Sequence, residues 1–279
     1  MAGNSTIEIS RKNLFHEGEE PKLDRDQKRQ LIVAAATLIT LSVNLLANIL
    51  PINGVTTAEV SDQFSTYFVP ADFIFLIWPV IYILLIAFTI FQVLPSQKEN
   101  PKLRKIAWWY VAGSLANIAW LFCWHYQQFT LSLLMILVLL ICLIVVYEIL
   151  EIGVVSVDRG MHFFVHLTFS VYLAWITIAS IANITDVLDY NGWEGFGLDP
   201  RVWAVVVLVI AVVVVELITY NRQDLAFLAV VVWSFIGIAQ NSKGISPIYE
   251  AAYVAVVVVL MMAVISIILK LRRRKRIKD

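Results

Sequence analysis

Charge is what this chain has least of. Asp, Glu, Lys and Arg together make up 15% of its 279 residues, where a soluble domain carries about 25%. So few charges cannot cover a surface that faces water all round, which excludes a soluble globular fold. Cysteine is nearly absent too. Cys123 and Cys142 both lie in apolar runs, which argues against a disulfide framework and reads them as small packing residues. The first 30 residues are polar, with no apolar core ahead of a small-residue cleavage site. No cleavable signal peptide is therefore expected, and the segment reads as a mobile cytoplasmic tail. The formal net charge is zero, which suggests no nucleic-acid partner. The sequence shows no nucleotide-binding loop, nucleophile–base pair or phosphate cradle. Acid–base catalysis has no visible machinery.

What the chain does have is apolar length. Hydrophobic residues make up 60% of it, and mean hydropathy is +0.79. Its few charges fall in short clusters, leaving apolar runs of roughly 17–25 residues, the length that crosses about 30 Å of hydrocarbon as α-helix. The fold class expected is all-α, a polytopic transmembrane bundle of eight spans: 30–51, 71–94, 106–125, 129–150, 162–185, 201–219, 223–241 and 249–270. With the N-terminus inside, all of the 21 Lys and Arg except Arg201 and Lys243 fall on the cytoplasmic side, as the positive-inside rule requires. Both termini are then cytoplasmic, and the membrane expected is the bacterial cytoplasmic one. The closing "KLRRRKRIKD" reads as an anchor for anionic headgroups. On the outside, "PINGVTTAEVSDQFSTYFVPAD" has no Lys or Arg and is longer than a connection needs. It is either a lid or a solvated connector. The third outer loop, "TDVLDYNGWEGFGLD", is acidic and glycine-rich.

The chain holds nine tryptophans. Trp108, Trp109, Trp193 and Trp203 suit an interfacial belt. Trp78, Trp120, Trp175 and Trp233 do not. Counted along their helices, Trp78, Trp120 and Trp175 reach similar depths in the outer half of the bilayer. Asn117 lies one turn below Trp120 on the same face, and Asn44 and Asn48 repeat the pattern on the first span. Amides at that depth need partners, so they face protein or ligand rather than lipid. Phe75, Trp78 and Tyr82 follow steps of three and four and form one stripe. Pro79 inside that stripe predicts a kink. Such a helix forms either a pocket wall or an ordinary aromatic seam between helices.

Three motifs, in order, resemble the TspO/MBR family of tryptophan-rich sensory and translocator proteins. "YFVPADFIFLIWPVIY" is similar to the start of that family's second helix, with Pro70, Phe75, Trp78 and Tyr82 on its pattern. "LANIAWLFCW" resembles its third helix, giving Asn117 and Trp120, and "YLAWITIASIAN" its fifth, giving Tyr172, Trp175, Ala179 and Asn183. The resemblance implies a five-helix core over 30–190 with a pocket for porphyrins or similar flat apolar molecules. Asn48 completes its ligand-binding residues, and Tyr67 and Pro70 belong to its lid loop. Residues 191–270 would then be a three-helix extension, between tails at 1–29 and 271–279. No cofactor is required; protoporphyrin or haem is the bound group implied, with a sensory or regulatory role. The partners expected are a hydrophobic small molecule and the bilayer, with a homodimer left open. Two alternatives stand beside this: a facilitator of small hydrophobic solutes, and light-dependent porphyrin breakdown. The central thirds of the spans carry no charged residue, which disfavours ion-coupled transport.

The sequence departs from the family pattern at Pro79, Asp72 and Phe73, and it lacks the sterol-recognition pattern after the fifth span. A further echo links "WITIASIAN" (175–183) with "WSFIGIAQN" (233–241). His162 and His166, spaced i, i+4, have metal-ligand geometry, with Glu148 and Glu151 across a short loop. They read more simply as interfacial residues, and no metal site is expected. His125 sits at the outer mouth, as a candidate neighbour of a bound porphyrin.

Overall fold

Residues 23–276, apart from 51, 65, 221 and 223, are described by the computed structural model. The expected N-terminal tail, up to residue 22, therefore lies outside the described residues. Within them the chain is helical throughout, with eight long helices and one short one: α1 (Arg25–Ile49), the short α2 (Thr57–Ser61), α3 (Ile77–Val93), α4 (Pro101–His125), α5 (Phe129–Leu150), α6 (Leu167–Tyr190), α7 (Pro200–Thr219), α8 (Leu225–Asn241) and α9 (Ile248–Arg276). Each of the eight apolar runs has become one long helix. Seven are long and apolar enough to cross a membrane, counting the turns that continue them, and α8 is a shorter apolar helix.

Capping chemistry moves two boundaries. The Asp24 carboxylate accepts from the Asp26 and Gln27 N–H groups, while the Gln27 side chain returns to the Asp24 N–H. This capping box starts α1 at Arg25, so part of the expected tail is helix. At the other end α9 runs on through Arg276, so residues 271–276 continue the helix instead of forming a separate tail.

Pro79 needs a larger correction. It does not kink a continuous helix. A 3-10 segment, Asp72–Leu76, precedes α3, and Pro79 falls in the first turn of the α-helix. In that turn the missing N–H has no intrahelical acceptor to lose.

The bundle is greasy outside and carries polar groups within its apolar core. Leu38, Ile83, Leu115, Ile141, Leu217 and Val254 are exposed, while Thr37, Asn44, Gln92, Asn117 and Ser132 are buried. Water would reverse that arrangement; hydrocarbon favours it. The buried polar groups tie helices together. Gln30 and Gln92 exchange side-chain amide bonds with each other's backbone carbonyls at 2.6 and 3.0 Å, joining α1 to α3. The Thr37 hydroxyl sits 2.7 Å from that of Tyr110 and accepts from Thr89 at 2.8 Å. At Gly113 an added Cβ would stand 3.3 Å from the Cys142 Cβ, so α4 and α5 are in close contact there and Cys142 is indeed a packing residue.

Helix α6 is the central helix, buried along most of its length, with α3, α5 and α8 against it. One contiguous apolar core runs from α1 to α9. The end of the bundle where α1 begins and α9 finishes is basic. There Lys98 pairs with Asp24, Arg104 with Asp26, Lys102 with Glu151 and Arg222 with Glu148.

A candidate ligand site under the first loop

At the opposite end, three helices bring the predicted tryptophans together. The Trp78 ring stacks on Trp120 at 6.2 Å between centroids and meets Trp175 edge-on at 5.9 Å. Phe75 closes on Trp175 at 6.1 Å, Tyr82 lies against Trp78 at 5.8 Å, and Trp124 extends the stack beyond Trp120. The stripe read as Phe75, Trp78 and Tyr82 does share one face, although Phe75 comes from the 3-10 segment.

Beneath the rings lies an amide network. The Tyr82 hydroxyl donates to Asn44 Oδ1 at 3.1 Å, and Asn44 Nδ2 donates to Asn117 Oδ1 at 2.7 Å. The Tyr172 hydroxyl lies beside the Asn117 amide. Ala179 is half-buried on the face that carries Trp175, and Asn183 is buried one turn further along. The side chain of Asn48 is outside the described residues.

Several polar atoms of this region are left over. The indole N–H groups of Trp120 and Trp175, the hydroxyls of Thr40 and Ser180, and Asn183 Oδ1 are buried without a protein partner. An unsatisfied buried polar group costs about 1–3 kcal/mol, and native folds keep few of them.

The first outer loop folds down over this end. Its helix α2 is capped by Thr56 and Glu59 in a second capping box. Trp124 Nε1 donates to the Thr57 carbonyl at 3.2 Å, and Phe64 packs against Trp124 and Phe129. Thr66 donates to the buried carboxylate of Asp186 at 3.0 Å. Phe68, Val69 and Pro70 are buried, and Tyr67 is half-buried. The loop's last stretch docks on α8, where the Ala71 N–H reaches the Gly237 carbonyl at 3.2 Å and Asn241 Nδ2 reaches the Val69 carbonyl at 2.9 Å.

The structure places each of the three candidate histidines. His125 is fully buried, with Nε2 3.1 Å from the Thr57 hydroxyl and Nδ1 3.2 Å from the Ile52 carbonyl. It pins the loop rather than facing a ligand at an open mouth. His162 and His166 lie at the basic end on a π-helical turn, Met161–His166, with ring centroids 6.5 Å apart. Glu148 and Glu151, the carboxylates that could have joined them, are engaged by Arg222 and Lys102. No metal-binding group of three or more His, Cys, Asp or Glu occurs among the described residues. The two histidines instead border a cavity of about 540 Å³. On its wall Asp224 accepts from Tyr147 at 2.8 Å and Ser170 at 2.6 Å while capping α8.

Trp193 and Trp203, read as belt residues, meet each other at 4.6 Å. The sequence reading missed Trp124, Thr57, Asp186 and Asp224. Asp224 was legible as a helix cap directly before an apolar run. The others act through contacts across the chain that no local spacing announces.

Among known families, the chain matches TSPO-like protein over residues 30–267. No curated protein and no solved structure matches it. The family match does not stop at residue 190, where the motif resemblance ended. It takes in α7, α8 and α9, in keeping with the grip of α8 on the first loop. An apolar-skinned helical bundle with this match is an integral, multi-pass membrane protein, and the chain belongs to the TSPO-like protein family.

Proposed function

We propose that this protein binds a flat apolar ligand, a tetrapyrrole such as protoporphyrin or haem, among Trp78, Trp120 and Trp175, in a sensory or regulatory role. The basic end would face the cytoplasm, and the ligand would enter from the opposite side as the first loop lifts. The observation that carries this reading is the set of unpaired polar atoms beside the stacked indoles. Indole faces suit a π-system, and a few polar groups set its orientation. Both features belong to a ligand site more than to a finished core, where such atoms would have partners. Porphyrin, haem and regulatory use come from the family resemblance; the site's chemistry supports a flat aromatic guest.

The test is titration of protoporphyrin IX into the full chain in lipid nanodiscs, read by tryptophan quenching. Saturable binding is expected, weakened at least about tenfold, or 1.4 kcal/mol, by Trp78→Ala together with Trp175→Ala. Unchanged affinity in a variant that still folds would move the site elsewhere.

A further inference from the structure

A second cavity lies at the same end of the bundle, outside the tryptophan cluster, where the first loop, the end of α6, the third outer loop and the start of α7 meet. Its volume is about 360 Å³, at the low end of the roughly 300–1,000 Å³ of small-molecule sites. That is too tight for a macrocycle and suited to one or two fused rings.

Its walls are aromatic and its lining carries carboxylates but no Lys or Arg. Tyr67, Trp193 and Trp203 line it, with Val207 among its apolar lining. The two indoles stand nearly perpendicular, at 72°. The charged side chains on the lining are Asp189 and Glu194, with no Lys or Arg among them. Arg201 lies near Tyr67 on the cavity wall, with its guanidinium paired to Asp199 through bonds of 3.0 and 2.8 Å. An ammonium is therefore favoured twice, by ring faces and by the exposed Glu194 carboxylate, while a carboxylate or phosphate guest would be disfavoured.

The third loop is shaped to hold this wall. Phe196 has φ of 55° and is 84% exposed, with its ring edge on Trp193 at 5.2 Å. A bulky residue in the left-handed region is strained, and strain of this kind gathers at ligand clamps. Trp203 adds a buried indole N–H without a protein partner.

We infer that this vestibule is a binding site for a small aromatic ammonium compound, separate from the tetrapyrrole site and closed by the same loop. The probe is 2-naphthylmethylammonium, with 2-methylnaphthalene and 2-naphthoate as neutral and anionic counterparts. Each is titrated calorimetrically against the full chain in nanodiscs, with empty nanodiscs subtracted. The ammonium is expected to saturate and to bind at least about tenfold more tightly than the carboxylate. Glu194→Gln, at an exposed position, should weaken the ammonium several-fold and leave the neutral probe unchanged. Ala204→Phe, which fills the cavity, should remove ammonium binding while protoporphyrin titration stays as in the parent chain. Equal or tighter binding of the carboxylate, no saturation by the ammonium, or full ammonium affinity in a folded Ala204→Phe variant would each overturn the assignment. Because the two sites have different probes and different variants, either reading can fail alone.

Discussion

Helices α6 and α8 carry the same residues at the same spacing: Trp175 with Ile178 and Asn183, and Trp233 with Ile236 and Asn241. Both tryptophans meet the 3-10 segment ahead of α3, Trp175 through Phe75 and Trp233 through Phe73 at 5.3 Å. Their polar atoms fare differently. Trp175 is 3% exposed with its N–H unpaired, whereas Trp233 is 37% exposed and donates to the Ile74 carbonyl at 3.4 Å. Asn183 donates to Ser132 Oγ at 3.5 Å and leaves its oxygen without a partner, while Asn241 donates to the Val69 carbonyl of the loop. One helix has used its hydrogen bonds to hold the loop; the other leaves an indole N–H and an amide oxygen unpaired beside the tryptophan cluster. The same residue types thus serve as clamp on α8 and, in the proposed site, as wall on α6, and the presence of a partner in the loop tells them apart.

Substitutions can break this comparison, and the largest effect is expected at Gly237. A Cβ there would come within 2.1 Å of Ile74 Cγ1 and 3.3 Å of the Pro70 Cβ. Gly237→Val should cost about 3 kcal/mol, the upper end of ordinary overpacking, and speed hydrogen exchange across residues 66–74. A thermal midpoint and exchange pattern like those of the parent chain would show that α8 is not the loop's support.

The tryptophans come next. Trp233→Phe removes a made hydrogen bond and should cost about 1 kcal/mol without altering protoporphyrin affinity. Trp175→Phe removes an unmade one but opens space at a buried site, so stability should fall by about 1–3 kcal/mol while protoporphyrin affinity falls several-fold. If the two variants behave alike, clamp and wall are not distinct.

The smallest effect concerns pH, which acts on neither helix. Asp24 and Glu151 are held below the usual carboxylate range by hydrogen bonds to Lys98 and Lys102, and Asp199 is pushed down to about 2 by Arg201. A depressed carboxylate stabilises the fold above its unfolded-state pKa, near 4, and loses that contribution as pH falls through its native value. The loss of thermal midpoint caused by Asp199→Asn should therefore be the same at pH 7 and pH 5 and fade below about pH 4. A loss that changes between pH 7 and pH 5 would point to some other group.

The architecture was legible because charge is so scarce: wherever Lys, Arg, Asp or Glu cluster, a helix ends or turns. The tryptophan cluster was legible for a similar reason, since Trp78, Trp120 and Trp175 repeat at matching depth beside amides. Pro79 was misread because a 3-10 segment and an α-helix look alike in an apolar run, and only the boundary between them decides whether a proline kinks or starts. The partners of His125 were not legible, because Ile52 and Thr57 lie across a loop whose descent onto α4 leaves no periodic trace. The vestibule was invisible for the same reason. Tyr67, Trp193 and Trp203 meet only once two loops and the start of α7 have folded toward one another.

The last helix has a consequence of its own. At 1.5 Å per residue, the 29 residues of α9 reach about 43 Å, well past a hydrocarbon layer of about 30 Å. Its arginine- and lysine-rich final turns must therefore stand clear of the oil as a stiff post among lipid phosphates. That post would fix how deeply the whole bundle rides, and so keep the mouth at the other end level with the opposite water boundary.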